Sequence, residues 1–155
     1  MAARRGARGG SRMAATRRQN ATRGGRALVE RLFDEVYNQP DIELAMAVCA
    51  QIVRTPETLR PDLIRLRTAF PDFKMHIDRI VSANRAVFVR WGGYGTHTGP
   101  LVLPHLHLTV PPRHVRVDLT GNTLYIVDGD QIETRIAERD TIGLLLQLDV
   151  RFVAS

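Results

Sequence analysis

After Pro71-Asp72 the apolar residues stop recurring every third or fourth position and begin to alternate, and this one change of period confines the chain to folds that segregate helices from strands. Ahead of the switch, Leu28, Val29, Leu32, Phe33 and Val36 share a helical face in ALVERLFDEVYNQPD, and Asn38-Gln39-Pro40-Asp41 ends that helix. Asp41 is placed to cap a second helix, IELAMAVCA, whose apolar residues continue through Ile52 and Val53. Thr55 as N-cap and Pro56 at the first helical position open a third, ETLRPDLIRLRTAF. Pro61 inside it implies a kink or a short first piece, because proline lacks the amide hydrogen that an interior turn needs.

Behind the switch, Phe73, Met75, Ile77 and Ile80 alternate with polar neighbours, and Asn84 turns the chain into RAVFVRWGGYGTHTG. Two more long alternating runs, RHVRVDLTGNTLYIVDG and QIETRIAERD, meet at Asp128-Gly129, a strong hairpin signal. TIGLLLQL closes the pattern as a short helix. The expected fold is α+β: a cone-shaped barrel with three N-terminal helices packed on a curved antiparallel sheet of about four strands, and a short C-terminal helix. Such a roofed sheet encloses an apolar cavity suited to a small ligand. GPLVLPHLHLTVPP, apolar and proline-rich, is expected to be a rim loop, a lid or a dimer contact.

Charge separates a tail from a body. Eight of the 22 Lys and Arg residues fall in Met1–Arg26, which has no acid, and the other 14 face 16 acids, so the body is slightly negative. Residues 1–25 are Gly/Ala/Arg-rich without an apolar period and are expected to lack order. The body is expected at 26–150 and a C-terminal end at 151–155. The tail has three readings: a nucleic-acid-binding arm, an Arg-rich targeting peptide, or translation from Met13. Nucleic acid is not the expected partner, because the body shows no basic surface interleaved with aromatics. No run of 18 apolar residues is present, and no membrane span is expected. The single Cys49 excludes an internal disulfide framework and suits a reducing, cytoplasmic setting.

If 131–140 is a strand, Ile132, Thr134, Ile136, Glu138 and Asp140 share one face and Glu133, Arg135, Ala137 and Arg139 the other. Asp140 stands directly before TIGLLLQL, as a helix N-cap does, and is also a candidate acid/base. Glu138 is the next acid. His105 and His107 form a His-x-His pair, but no acid or Cys lies at a spacing that would complete a metal site, and none is expected. His107 or His97 suits hydrogen bonding or proton transfer. On the second strand Arg90 is a candidate oxyanion holder, while Trp91 and Tyr94 offer faces for a flat ligand.

RLFDEVYNQPD, LRTAFPDFKMHIDRIVSANRAVFVRWGGYGTHTG, VPPRHVRV and YIVDGDQIETRIAERDTIGLLLQL, in this order, resemble the SnoaL-like polyketide cyclases of the nuclear-transport-factor-2-like superfamily. The resemblance covers most of Leu28–Leu148. It implies a cytoplasmic, cofactor-free enzyme of secondary metabolism, forming homodimers and acting by general acid/base chemistry on a small hydrophobic polyketide. The catalytic set would be Asp140, His107 and Arg90. The substrate-binding set would be Tyr37, Trp91, Tyr94, His97, Asn122, Ile136 and Glu138. The resemblance also implies an acid on the last strand, and counting back from Gly143-Leu144-Leu145 that place falls on Ala137. The epoxide-opening relatives' acid two residues after Arg90 falls on Gly92. A non-catalytic ligand-binding or accessory protein is therefore the alternative expectation.

Overall fold

The computed structural model describes residues 7–152; the ends of the expected tail and C-terminal segment, 1–6 and 153–155, lie outside the described residues. Helix α1 (Ala7–Leu32) runs into a π-helical turn, Phe33–Tyr37, and is followed by α2 (Ile42–Ile52) and, after a 3₁₀ turn at Pro56–Thr58, by α3 (Arg60–Ala69). Strands β1 (Lys74–Ala83) and β2 (Ala86–Thr96) precede a small hairpin of β3 (Leu101–Leu103) and β4 (Leu108–Val110). Long strands β5 (Arg116–Asp128) and β6 (Gln131–Arg139) lead to α4 (Thr141–Gln147). The main sheet is antiparallel in the order β1-β2-β5-β6. The molecule is thus the α+β arrangement that the change of period dictates.

Several local expectations gain a physical account. Asp41 caps α2, its carboxylate accepting from the amides of Glu43 and Leu44 at 2.8 and 3.0 Å. Thr55 precedes the 3₁₀ turn but makes no side-chain cap; its carbonyl instead accepts from the Thr58 hydroxyl at 2.8 Å. The Pro61 prediction of a short first piece holds, since α3 restarts at Arg60 and Pro61 occupies its first turn, where a missing amide hydrogen costs nothing. Gly129 takes φ 62° in the β5–β6 turn, as a tight hairpin requires.

The tail differs from expectation. Described as helix from Ala7, it is one element with the body's first helix, consistent with the helix-forming preference of its Ala, Arg, Met and Gln residues. Packing begins at Gly25, which lies against Val87 and Val127, and not before: the described side chains from Arg12 to Gly24 are exposed.

Two β-bulges set the faces of the edge strands. In β1 the register shifts between Ile77 and Arg79, so Ile80 rejoins Met75 and Ile77 on the face toward the helices. In β6 the extra residue is Glu133, so Ile132 pairs with Val127 and is buried beneath the helices, not on the face of Thr134 and Ile136 as strict alternation predicts. Glu133 itself accepts from Arg54 and Arg85. Val29, Leu32, Phe33, Ala45, Cys49 and Ile52 of the helices close on Val87, Val89, Tyr125 and Val127 to form the core. Burial pushes the Cys49 thiol up to about 11, so this cysteine is a packed apolar group and not a nucleophile.

The turn that follows the π-helical segment is held by two polar clamps. Asn38 pairs with the backbone of Met75, donating to its carbonyl at 2.8 Å and accepting from its amide at 2.7 Å. The half-buried guanidinium of Arg67 donates to the carbonyls of Tyr37, Gln39 and Phe73, joining α3, the turn and the entry to β1. Burial lowers its pKa, yet the three carbonyls keep a cation in place. Replacing Arg67 with Met is expected to lower unfolding stability by about 2–3 kcal/mol in urea titration. Arg67→Lys should recover only part of this, because an ammonium cannot fork across three carbonyls.

Candidate functional site

The sheet has an inner face toward the helices and an outer face away from them. Register assigns residues to each: Trp91 opposes Gly121 on the inner face, and Arg90 opposes Asn122 on the outer. On β6 the inner residues are Arg135, Ala137 and Arg139, opposite Tyr125, Thr123 and Gly121. Between this face and the helices lies a cavity of about 90 Å³ whose wall includes Tyr37, Asp62, Trp91, Thr123, Tyr125, Arg135, Ala137 and Arg139. A larger groove of about 440 Å³ lies between α3, the β3–β4 hairpin and α4. The two share Asp62, Leu66, Leu119 and Arg139, so the groove adjoins the inner cavity, and it has the volume of a small-ligand site.

The polar groups of the cavity form a connected set. Arg135 donates to the Tyr37 hydroxyl at 3.2 Å and to the Asp62 carboxylate at 3.4 Å, while Arg65 holds the other Asp62 oxygen at 2.6 Å. Burial works against the charge on Arg135, but Tyr37, Tyr125 and Asp62 together outweigh it and raise its pKa. Tyr125 is pushed well up, first by burial and then by Tyr37 beside it, so it stays a neutral phenol. Trp91 is buried along the wall and its indole N–H donates to the Thr123 hydroxyl at 3.0 Å. Gly121 makes this possible, since a Cβ there would stand 2.3 Å from the Trp91 ring.

Of the residues expected from sequence, Tyr37 and Trp91 line the cavity. Arg90, Tyr94, Asn122, Ile136 and Glu138 belong to the outer face, where Tyr94 stacks under the Arg116 guanidinium at 4.3 Å. Odd and even positions on a strand cannot both face inward, so these five are separated from Trp91 and Ala137 by the sheet itself. His107 is exposed in the turn of the β3–β4 hairpin with φ 48°, not on a strand with His105. His105 lines the groove. His97 is fully buried against the Phe70 ring, its Nδ1 accepting from the Arg113 amide at 3.2 Å. Asp140 caps α4, accepting from the Gly143 amide at 2.8 Å, and lines neither space. Ala137 does line the cavity, opposite Thr123.

Asp62, Arg135, Arg139, Thr123 and Tyr125 also line the cavity, and sequence reasoning did not single them out. Strand alternation grouped Arg135 and Arg139 with Ala137, and that was the available signal. Asp62 offered none, because an acid in the first turn of a helix is commonplace. Among the described residues no group of three or more His, Cys, Asp or Glu side chains is arranged to hold a metal ion. No helix of the described residues is long and apolar enough to cross a membrane.

Residues 27–148 match the sequence model of a family described as SnoaL-like polyketide cyclase. Solved structures share the architecture. A candidate SnoaL-like polyketide cyclase of Jannaschia sp. CCS1 superposes with a TM-score of 0.70 at 18% identity, over 84% of this chain and 95% of that one. AclR, a candidate hydroxylase of Streptomyces galilaeus, gives 0.67 at 16% identity, over 86% of each chain. A SnoaL-like polyketide cyclase of Agrobacterium tumefaciens C58 gives 0.59 at 16% identity, over 83% of this chain and 97% of that one. At these identities the likeness establishes a common fold. No curated protein matches in sequence.

Asp140→Ala is expected to lower unfolding stability by about 1 kcal/mol, and Asp140→Asn to stay within a few tenths, because Asn caps as well as Asp. Burial, then the Arg113 charge, holds the His97 imidazole below its ordinary pKa, so the unfolded chain binds the proton more readily. Stability should therefore be unaffected by this group above about pH 6.5 and decline as pH falls below it. Thermal melts from pH 7 to 5 should show that decline, and His97→Gln should flatten it.

Proposed function

The chain belongs to the SnoaL-like polyketide cyclase family, and from that premise we propose that it carries out cyclase-type chemistry on a small hydrophobic polyketide whose body lies in the groove and whose reacting end reaches the inner cavity. The reading rests on one observation: Asp62, the only carboxylate lining the cavity or groove among the described residues, shares the cavity wall with the Arg135 guanidinium and the Tyr37 hydroxyl. In an intramolecular aldol addition, Asp62 takes a proton from the carbon next to a ketone, and Arg135 with Tyr37 holds the enolate oxygen. The carbanion equivalent attacks a second carbonyl of the same molecule, and the new alkoxide receives the proton back. The step is redox-neutral and needs no outside reactant. With a synthetic poly-β-ketone substrate and product chromatography, Asp62→Asn should reduce turnover roughly 10²-fold or more. Full turnover in that variant would remove Asp62 from the mechanism.

Ala137 favours a second reading, a protein that holds such a ligand without transforming it. Ligand binding with no product in the wild type, under conditions where a related cyclase turns over, would select it.

We also propose a homodimer through the outer sheet face. Val81, Phe88, Leu124 and Ile136 are cross-strand neighbours and draw an apolar row over all four strands; Val81, Phe88 and Ile136 are exposed. The adjacent row, Arg79, Arg90, Asn122 and Glu138, is cationic at one end and anionic at the other. A two-fold axis through the sheet centre sets apolar on apolar and the Arg end of one copy against Glu138 of its mate. Light scattering should give a dimer for the wild type and a monomer for Phe88→Glu.

A further inference from the structure

The β6 wall of the cavity carries Arg135, Ala137 and Arg139, of which the last two are exposed. Charge there is one-sided. Arg135 and Arg139 both line the inner cavity against a single acid, Asp62, and Arg65 adds a third arginine where the groove meets it. Asp62 is already engaged by Arg65 and Arg135. Arg139, at the junction of the two spaces, has no carboxylate partner among the described residues.

Position 137 lies midway between the two arginines on the same face of β6. Residues two apart on a strand are separated by about 7 Å, so the side chain of Ala137, ending at Cβ, leaves a gap between two arginine residues on the same strand face. On the neighbouring strand opposite this gap is Thr123, whose hydroxyl is taken up by Trp91 and Tyr125 and leaves the gap to the arginines. Two cationic side chains around a gap are the complement of a carboxylate. Apart from His105 and Thr141, the rest of the groove is apolar, with Leu101, Leu103, Leu106, Ile142, Leu144 and Phe152 among its lining.

We infer that the site selects an amphipathic anion, a hydrophobic carboxylate whose head group seats beside Ala137 between Arg135 and Arg139 while its apolar body occupies the groove. The inference rests on the proposed use of this cavity and names the chemical class of its ligand. In this arrangement the ligand itself carries in the carboxylate that the resemblance places on the strand and that Ala137 does not supply.

Trp91, the single tryptophan, lines the same wall, so its fluorescence reads occupancy directly. The test compares octanoate with octan-1-ol at pH 7.5, by Trp91 fluorescence and calorimetry, on the full chain. Octanoate should bind at least tenfold more tightly than octan-1-ol. Arg139→Gln should erase that preference and leave octan-1-ol binding in place; its side chain is exposed, and an unchanged melting temperature verifies folding. Ala137→Asp, which puts a protein carboxylate in the gap, should weaken octanoate binding at least tenfold. Equal affinity of the wild type for acid and alcohol, or a preference that survives Arg139→Gln, overturns the inference while the cavity remains a ligand site. Binding of neither probe overturns both.

Discussion

The clamp formed by Arg67 and Asn38 is the constraint on which the site depends. It fixes the four-residue connection, 38–41, between the π-helical segment and α2, and so determines where that segment ends relative to β1. Half-buried backbone carbonyls left unpaired would each be costly, and one guanidinium satisfies three at once, those of Tyr37 and Gln39 at the turn and of Phe73 at the entry to β1. Tyr37, the last residue of the π-helical turn, is thereby aimed at Arg135 on the opposite edge strand. The π-helical segment buries Phe33, Val36 and Tyr37 together, residues whose i, i+3, i+4 spacing keeps them on one face.

The same physics explains why the cavity's polar groups are linked. A guanidinium placed under a helical roof must find partners, and Arg135 finds a phenol and a carboxylate. The carboxylate is in turn held by Arg65 from its own helix. Three elements thus meet through one ionic chain, and the surplus of positive charge at the cavity's inner wall is a consequence of where the arginines of β6 point. Gly121 contributes by what it lacks, since its missing side chain is the space in which the Trp91 ring lies.

Much of the fold was legible in the sequence, because periodicity, caps and turn residues act over a few residues and carry their meaning locally. Asp41 and Asp140 cap helices, Asp128-Gly129 closes a hairpin, and β2 alternates as written. The site was less legible. Tyr37 and Trp91 line the cavity, but Arg90, Tyr94, Asn122, Ile136 and Glu138 fall on the other side of the sheet, since composition along a strand does not say which face meets the helices. Ile132 escaped the alternation because one bulged residue, Glu133, reverses the faces beyond it.

What the sequence alone determined, then, was the order and kind of the elements, the class of fold, and the presence of an alanine where the resemblance implies an acid. Tertiary structure decided which residues share a space. Asp62 and Arg135 are 73 positions apart, and their meeting depends on how α3 lies across β6. Side chains so distant along the chain are brought together by packing and register, and neither is encoded in the local pattern around either residue.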